Sequence, residues 1–130
     1  KDTCVVVSPI VPMTKTDVGF ECVSIKDNKP FSYKLVSNHM KDKSKLVSAF
    51  HVISEKKLVN PTLELDYDIF VCGDDNESVQ VVNGLIDEIK GLRSIYLGPI
   101  ELSYLAEMST PLLLNAMIRN KIKNPGIKII

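Results

Sequence analysis

Residues 4–7 read Cys-Val-Val-Val, and an unbroken β-branched run so early constrains this chain more than anything that follows. A run that is apolar on both faces is the pattern of a parallel strand covered by helices on either side. Such a strand needs neighbours on both flanks. The run therefore predicts an α/β sheet, and it predicts that the chain is a piece of a longer α/β protein. Ser8, Pro9 and Pro12 end the strand, because proline lacks a backbone donor and fixes its own φ.

Further strands are predicted at Lys45–Phe50, Ile69–Cys72 and Leu92–Leu97. Residues 14–30, with Gly19 and Pro30, read as an irregular excursion. Phe31–Lys41 reads as a short helix with Phe31, Leu35 and Val36 toward the sheet, and Ser54 is placed to cap a short turn through Leu58. Asp74 or Asp75 caps a helix over Glu77–Lys90, on which Val79, Val82, Leu85, Ile86 and Ile89 recur at steps of three and four. Gly91 supplies the left-handed stop. Strand, helix and strand within thirty residues make a βαβ unit with a right-handed crossover. From Pro99 onward, Leu102, Leu105, Met108, Leu112, Leu113, Ala116 and Met117 form a broad apolar face running to about Asn120. Pro111 lies inside it and is expected to break or kink the helix near Ser109–Thr110. Pro125 and Gly126 end the helical region and leave the tail Gly126–Ile130.

Composition narrows the function classes. At 130 residues, 45% hydrophobic and 25% charged, the chain is a globular one of single-domain size. Sixteen basic residues balance sixteen acidic ones, so net charge makes no case for nucleic acid or an anionic membrane. No apolar run approaches the roughly eighteen residues of a membrane span, and Lys1-Asp2-Thr3-Cys4 does not read as a signal peptide. Cys4, Cys22 and Cys72 are an odd number with no CxxC pair and no nearby His. Cys4 and Cys72 lie in apolar runs, where a free thiol behaves as a small buried hydrophobe. A reduced, cytoplasmic setting follows.

The motifs of several chemistries are missing. Six glycines include no GxG pair, so the chain holds neither a dinucleotide fingerprint nor a P-loop, and GxSxG and HExxH do not occur. In an open α/β sheet, ligands sit beyond the carboxyl ends of the strands. The segments expected there are Ser8–Met13, His51–Glu55 and Gly73–Asp75, and the first two are unusually apolar for loops. Apolar loops at strand ends either line a dry slot for a flat aromatic ring or simply pack under a layer of helix. His51 is the titratable residue singled out. It either donates to a carbonyl or hydroxyl of a ligand or finishes a strand, satisfied by backbone. His39, beside Lys41, Asp42 and Lys43, reads as exposed; Asp74–Asp75 reads as a cap rather than a metal pair; Met108 and Met117 read as core lining.

In this order, VVVSPIVPM (residues 5–13), GF (19–20), KLVSAFHVIS (45–54), DIFVCGDDNES (68–78), IDEIKGLRSIYLGPI (86–100), STPLLLNAMIRN (109–120) and GIKII (126–130) resemble part of one family. These runs are similar to the C-terminal portion of the deazaflavin-dependent NADP oxidoreductases, archaeal enzymes that pass hydride between reduced coenzyme F-420 and NADP. The resemblance implies an α/β fold made of the last strands of a Rossmann-type parallel sheet and a small C-terminal α/β domain ending in a Pro-kinked helix. Residues 1–60 would complete a dinucleotide-binding domain, and residues 61–130 would form the small, helix-rich deazaflavin-side domain. It also implies two cofactors, NADP and coenzyme F-420, with Val11, Pro12 and Met13 along the rings, His51 and Ile53 at the deazaflavin and Glu55 near the nicotinamide. The helix after Thr110 and the closing tail would wall the far side. Hydride passing directly between two rings needs alignment and excluded water more than a nucleophile, so no residue is assigned a catalytic role and no metal is expected. The family's Gly-rich phosphate loop is absent from these residues. Small-molecule cofactors are thus the expected partners, with a missing N-terminal module or a second copy beside them, and neither nucleic acid nor membrane. The alternative is a non-catalytic α/β module acting through protein–protein or oligomer contacts.

Overall fold

The computed structural model describes residues 4–23, 32–53, 55–60, 62 and 64–130, apart from the side chains of residues 55 and 56. Phe31 and Ser54, with the roles expected of them, lie outside the described residues. The chain runs β1 (Val6–Ser8), β2 (Met13–Thr16), β3 (Gly19–Cys22), α1 (Ser32–Ser37), β4 (Leu46–Ser48), α2 (Glu55–Leu58), β5 (Tyr67–Gly73), α3 (Asn76–Glu88), β6 (Leu92–Gly98) and α4 (Ser103–Asn120).

Four strands form one α/β sheet in the order β1-β4-β5-β6. β1 pairs with β4 and β5 with β6 in parallel, as expected, but β4 and β5 are antiparallel through Val47↔Gly73 and Ser48↔Cys72. The sheet is therefore mixed and mostly parallel, and strands from both sides of residue 60 share it. The antiparallel pairing also corrects the expected geometry of the strand ends. Ser8–Met13 and His51–Glu55 leave one edge of the sheet, whereas Gly73–Asp75 leaves the opposite edge. β1 lies at the end of the strand order, so Val6 and Val7 are half-buried rather than covered on both faces, and Cys4 is exposed. Cys72, in the interior strand β5, is fully buried as expected.

The βαβ unit β5–α3–β6 follows the sequence closely. Asp75 caps α3 by accepting from the Ser78 amide at 3.1 Å, while Asp74 accepts from the Ile100 amide at 3.0 Å across the loop that follows β6. Val79, Val82 and Ile86 are buried against the sheet. Leu85, expected on that face, is 54% exposed, because the buried arc of a helix carrying only three such residues is narrower than the stripe in its sequence. On α1, Leu35 is likewise exposed, and that helix buries Ser32 and Ser37 instead.

Two features depart further from expectation. Residues 13–22 are an antiparallel hairpin, β2–β3, not an irregular excursion. α4 runs unbroken from Ser103 to Asn120 through Pro111. Proline removes the donor that would reach the Glu107 carbonyl. Side chains on the same turn make other contacts: the Ser109 hydroxyl donates to the Ala106 carbonyl and the Thr110 hydroxyl to the His51 carbonyl. α4 also buries polar groups and exposes apolar ones. Ser103, Glu107 and Ser109 are buried while Leu105, Met108 and Leu112 are exposed, so Met108 is not core lining. The carboxylate of Glu107 explains the inversion, for it accepts from the Ser32 hydroxyl and, at 2.8 Å, from the Ser103 hydroxyl. A buried carboxylate needs such donors, and the helix turns to provide them.

Candidate functional site

β4 delivers the site. Leu46, Val47 and Ser48 are buried, with Ser48 in register with Ser8 on one side and Cys72 on the other. Two residues later Phe50 has φ 66°, a left-handed conformation that a bulky side chain adopts only under constraint. The turn it makes returns His51 toward the strand it has just left. The His51 Nε2 lies 3.1 Å from the Ser48 Oγ, and the His51 carbonyl accepts from Thr110 on α4. The His51 Nδ1 is buried and has no hydrogen-bond partner among the described residues. His51 is thus not the backbone-satisfied strand end allowed for in the sequence. Burial pushes its imidazole down from 6.5 to about 4, so the ring is neutral at physiological pH.

A cavity of about 420 Å³ opens beside His51. His51, Val52 and Ile53 form one wall; Thr110, Leu113, Leu114 and Met117 of α4 form another; Lys57, Lys123 and Pro125 lie at its border. Val52 and Ile53 also belong to the hydrophobic core, so the apolar loop both packs under a helix and lines a slot. The Lys57 ammonium donates to the Pro125 carbonyl at 2.6 Å and lies 4.8 Å from the Tyr67 ring centre, which joins α2 to the tail. Its burial pulls its pKa below the ordinary lysine value. Among the described residues, none that lines it is acidic. The slot is therefore apolar on its broad faces and offers donors at its edge, the arrangement suited to a flat ring carrying acceptor oxygens.

Of the expected site residues, the structure brings His51 and Ile53 into this slot, together with the helix after Thr110 and the tail. Val11, Pro12 and Met13 are half-buried at the base of the β2–β3 hairpin, where the Val23 amide donates to the Pro12 carbonyl at 2.8 Å, and they do not line the cavity. Glu55 begins α2, and its side chain lies outside the described residues. Lys57, Lys123 and Ser48 were not anticipated. Their only signal in the sequence is proximity to HVIS and to the tail. A larger cavity, about 640 Å³, lies between the α2 region and the turn at Lys90–Gly91 and shares Lys57 with the first, but Val11, Pro12, Met13, His51 and Ile53 do not border it.

A mixed, mostly parallel sheet flanked by helices, with a slot beyond the carboxyl end of β4, is an architecture of the Rossmann-like class. A crystal structure from Arthrobacter sp. FB24, provisionally described as an F420-dependent NADP reductase, matches 95% of this chain and 56% of its own with a TM-score of 0.66. At 19% identity that likeness shows the fold alone. Sequence goes further: the F420-dependent NADP reductase of Methanocaldococcus jannaschii is 41% identical over 96 residues, 74% of this chain and 43% of the relative. The F420-dependent NADP reductase of Methanothermobacter thermautotrophicus is 35% identical over 86 residues, 66% of this chain and 37% of the relative. The chain is related to the F420-dependent NADP reductases and spans about two fifths of the length of these curated relatives. No family model matches it.

Proposed function

We propose that this chain forms the deazaflavin side of an oxidoreductase that transfers hydride between reduced coenzyme F-420, an 8-hydroxy-5-deazaflavin, and NADP. The observation that carries the reading is the slot itself: His51 and Ile53 face α4 and the tail across an apolar gap, and the His51 ring keeps one buried nitrogen without a partner among the described residues. When bound, the deazaflavin supplies the hydride chemistry. The chain's own contribution is positional. Ile53, Leu113 and Met117 present apolar surface to the ring and exclude water, and the His51 imidazole orients an oxygen at its edge. In this reading Val11, Pro12 and Met13 lie along the cofactor rings and Glu55 lies near the nicotinamide. The phosphates of NADP find no fitting residues here, since the chain lacks a GxG pair, so the nucleotide's anchor belongs to other residues. The methanogen sources of the curated relatives support an archaeal, cytoplasmic setting. Fluorescence titration of the chain with the deazaflavin tests the reading: saturable binding that Ile53→Asp abolishes is expected, and equal binding by both proteins would remove the slot from consideration.

A further inference from the structure

The unpartnered Nδ1 of His51 leads to a second residue. An imidazole that is neutral has two tautomers, and its neighbours decide between them. Ser48 and His51 are 2% and 6% exposed, so solvent does little to satisfy either side chain. Their mutual contact, 3.1 Å between Oγ and Nε2, is the one polar contact of each side chain among the described residues. Suppose the proton sits on Nε2. It then donates to the serine oxygen, while the serine proton has no acceptor and Nδ1 has no donor. Suppose instead the serine hydroxyl donates to Nε2. The only unmet donor is then the Nδ1–H, in a residue that lines the slot. Leaving one buried polar group unpaired costs less than leaving two. The low proton affinity of the buried ring keeps the doubly protonated form out of the comparison at pH 7.

We propose that Ser48 is a positioning residue that donates to Nε2 of His51 and holds the ring as the Nδ1–H tautomer, so that the one unmet donor of the pair belongs to the residue that lines the slot. The strand makes the arrangement rigid. Ser48 is fixed by parallel pairing to β1 and antiparallel pairing to β5, and Phe50 at φ 66° brings residue 51 back to it. The rest of the described slot agrees in chemistry, with two lysines at its border and no carboxylate among its described lining residues. A ligand with a carbonyl or ionised hydroxyl at its edge fits that donor set, whereas one presenting only donors there leaves the His51 N–H unpaired. That the ligand is the deazaflavin rests on the function proposed above; the tautomer does not.

The test is long-range 1H–15N correlation spectroscopy of the 15N-labelled chain at pH 7, which reads the protonation of each ring nitrogen directly. The chain has two histidines, and exposed His39 serves as an internal reference for a ring in fast tautomer exchange. Expected are a protonated Nδ1 and a bare Nε2 for His51, and a shift toward mixed tautomers in Ser48→Ala. Titration with the 8-hydroxy-5-deazaflavin should show affinity falling roughly twofold to tenfold in Ser48→Ala, the range for losing the orienting effect of one neutral hydrogen bond. A protonated Nε2 in the parent overturns the proposal, and the parent's spectrum decides even if the variant does not fold. An unchanged His51 pattern in folded Ser48→Ala overturns it equally. If the parent shows the Nδ1–H tautomer but binds no deazaflavin, the functional reading fails and the role of Ser48 stands.

Discussion

His51 titrates where the protein can be measured, and burial sets the sign of the effect. Its folded-state pKa is depressed from 6.5 to about 4, so between those values the unfolded chain takes up the proton first. The associated stability is fully present above about pH 6.5 and is lost as pH falls toward 4, in total on the order of 3 kcal/mol. Comparing His51→Gln with the parent from pH 7 to 4 by thermal denaturation should show a shallower fall in the variant; parallel curves would mean that His51 charges without difficulty in the folded state. In the same variant, losing a buried donor to the ligand should weaken deazaflavin binding roughly fivefold to hundredfold. Because hydride transfer asks no proton of this ring, the maximal rate in a complete enzyme should fall much less than affinity. His51 could be picked out beforehand as the titratable residue of an apolar loop after a strand, whereas Ile53 was marked only by the family resemblance. Ser48 could not, since its contact depends on the turn at Phe50, and nothing in the string Ser-Ala-Phe-His announces a phenylalanine at positive φ.

At the scale of elements, the parts built from neighbouring residues were legible and the parts built from distant ones were not. The β5–α3–β6 unit was readable from its cap, its apolar steps and its closing glycine. Gly91 has φ 89°, and a Cβ there would lie 1.7 Å from the Leu65 carbonyl oxygen, a backbone atom that cannot move aside cheaply. Gly91→Ala should therefore destabilise by well over about 1 kcal/mol, both through strain and through the clash. Chemical denaturation checks it, and an unchanged midpoint would refute the turn geometry. On α3, Val82→Asp should prevent folding, since that side chain is fully buried, whereas Leu85→Asp on the exposed side should leave the melting temperature nearly unchanged. Equal effects would refute the helix register. The β2–β3 hairpin escaped notice because its turn, Asp17-Val18, lacks the Asn-Gly type of signal, and because part of its support comes from far away. Asn115 of α4 accepts from the Phe20 amide at 2.9 Å and donates to the Phe20 carbonyl at 2.8 Å, serving the hairpin's open edge across 95 positions of sequence. The polar face of α4 was hidden for the same reason: one of the two hydroxyls that donate to buried Glu107 comes from Ser32, 75 positions away.

Across the whole molecule, the tail is clamped to the amino end of β5, and the clamp supports the slot. Buried Asp68 receives two hydrogen bonds from Arg93, each 2.8 Å, and one from the Ile129 amide at 2.6 Å; its own amide donates to the Ile127 carbonyl at 2.7 Å. The Arg93 guanidinium holds the Asp68 carboxyl below its usual range, so this contribution is present above about pH 4 and is lost as pH falls further. Arg93→Ala should lower the melting temperature and, by freeing the segment next to Lys123 and Pro125, weaken deazaflavin binding as well; unchanged affinity would mean that the tail only covers the sheet. Hydride transfer makes a larger demand. Two rings must be held face to face, and such alignment is worth effective molarities of about 10⁵–10⁸ M. In the proposed function this chain supplies the slot for one ring, and its sequence holds no GxG turn of the kind that commonly seats a dinucleotide's phosphates at a helix N-terminus. Mixed with reduced deazaflavin and NADP, the 130 residues should bind the deazaflavin yet form NADPH no faster than buffer does. Joining a strand–GxGxxG–helix segment ahead of β1, whose outer edge has no partner among the described residues, should restore turnover. Rapid NADPH formation by the chain alone, followed by its absorbance, would show that the nucleotide is anchored within these residues and would overturn the division of labour proposed here.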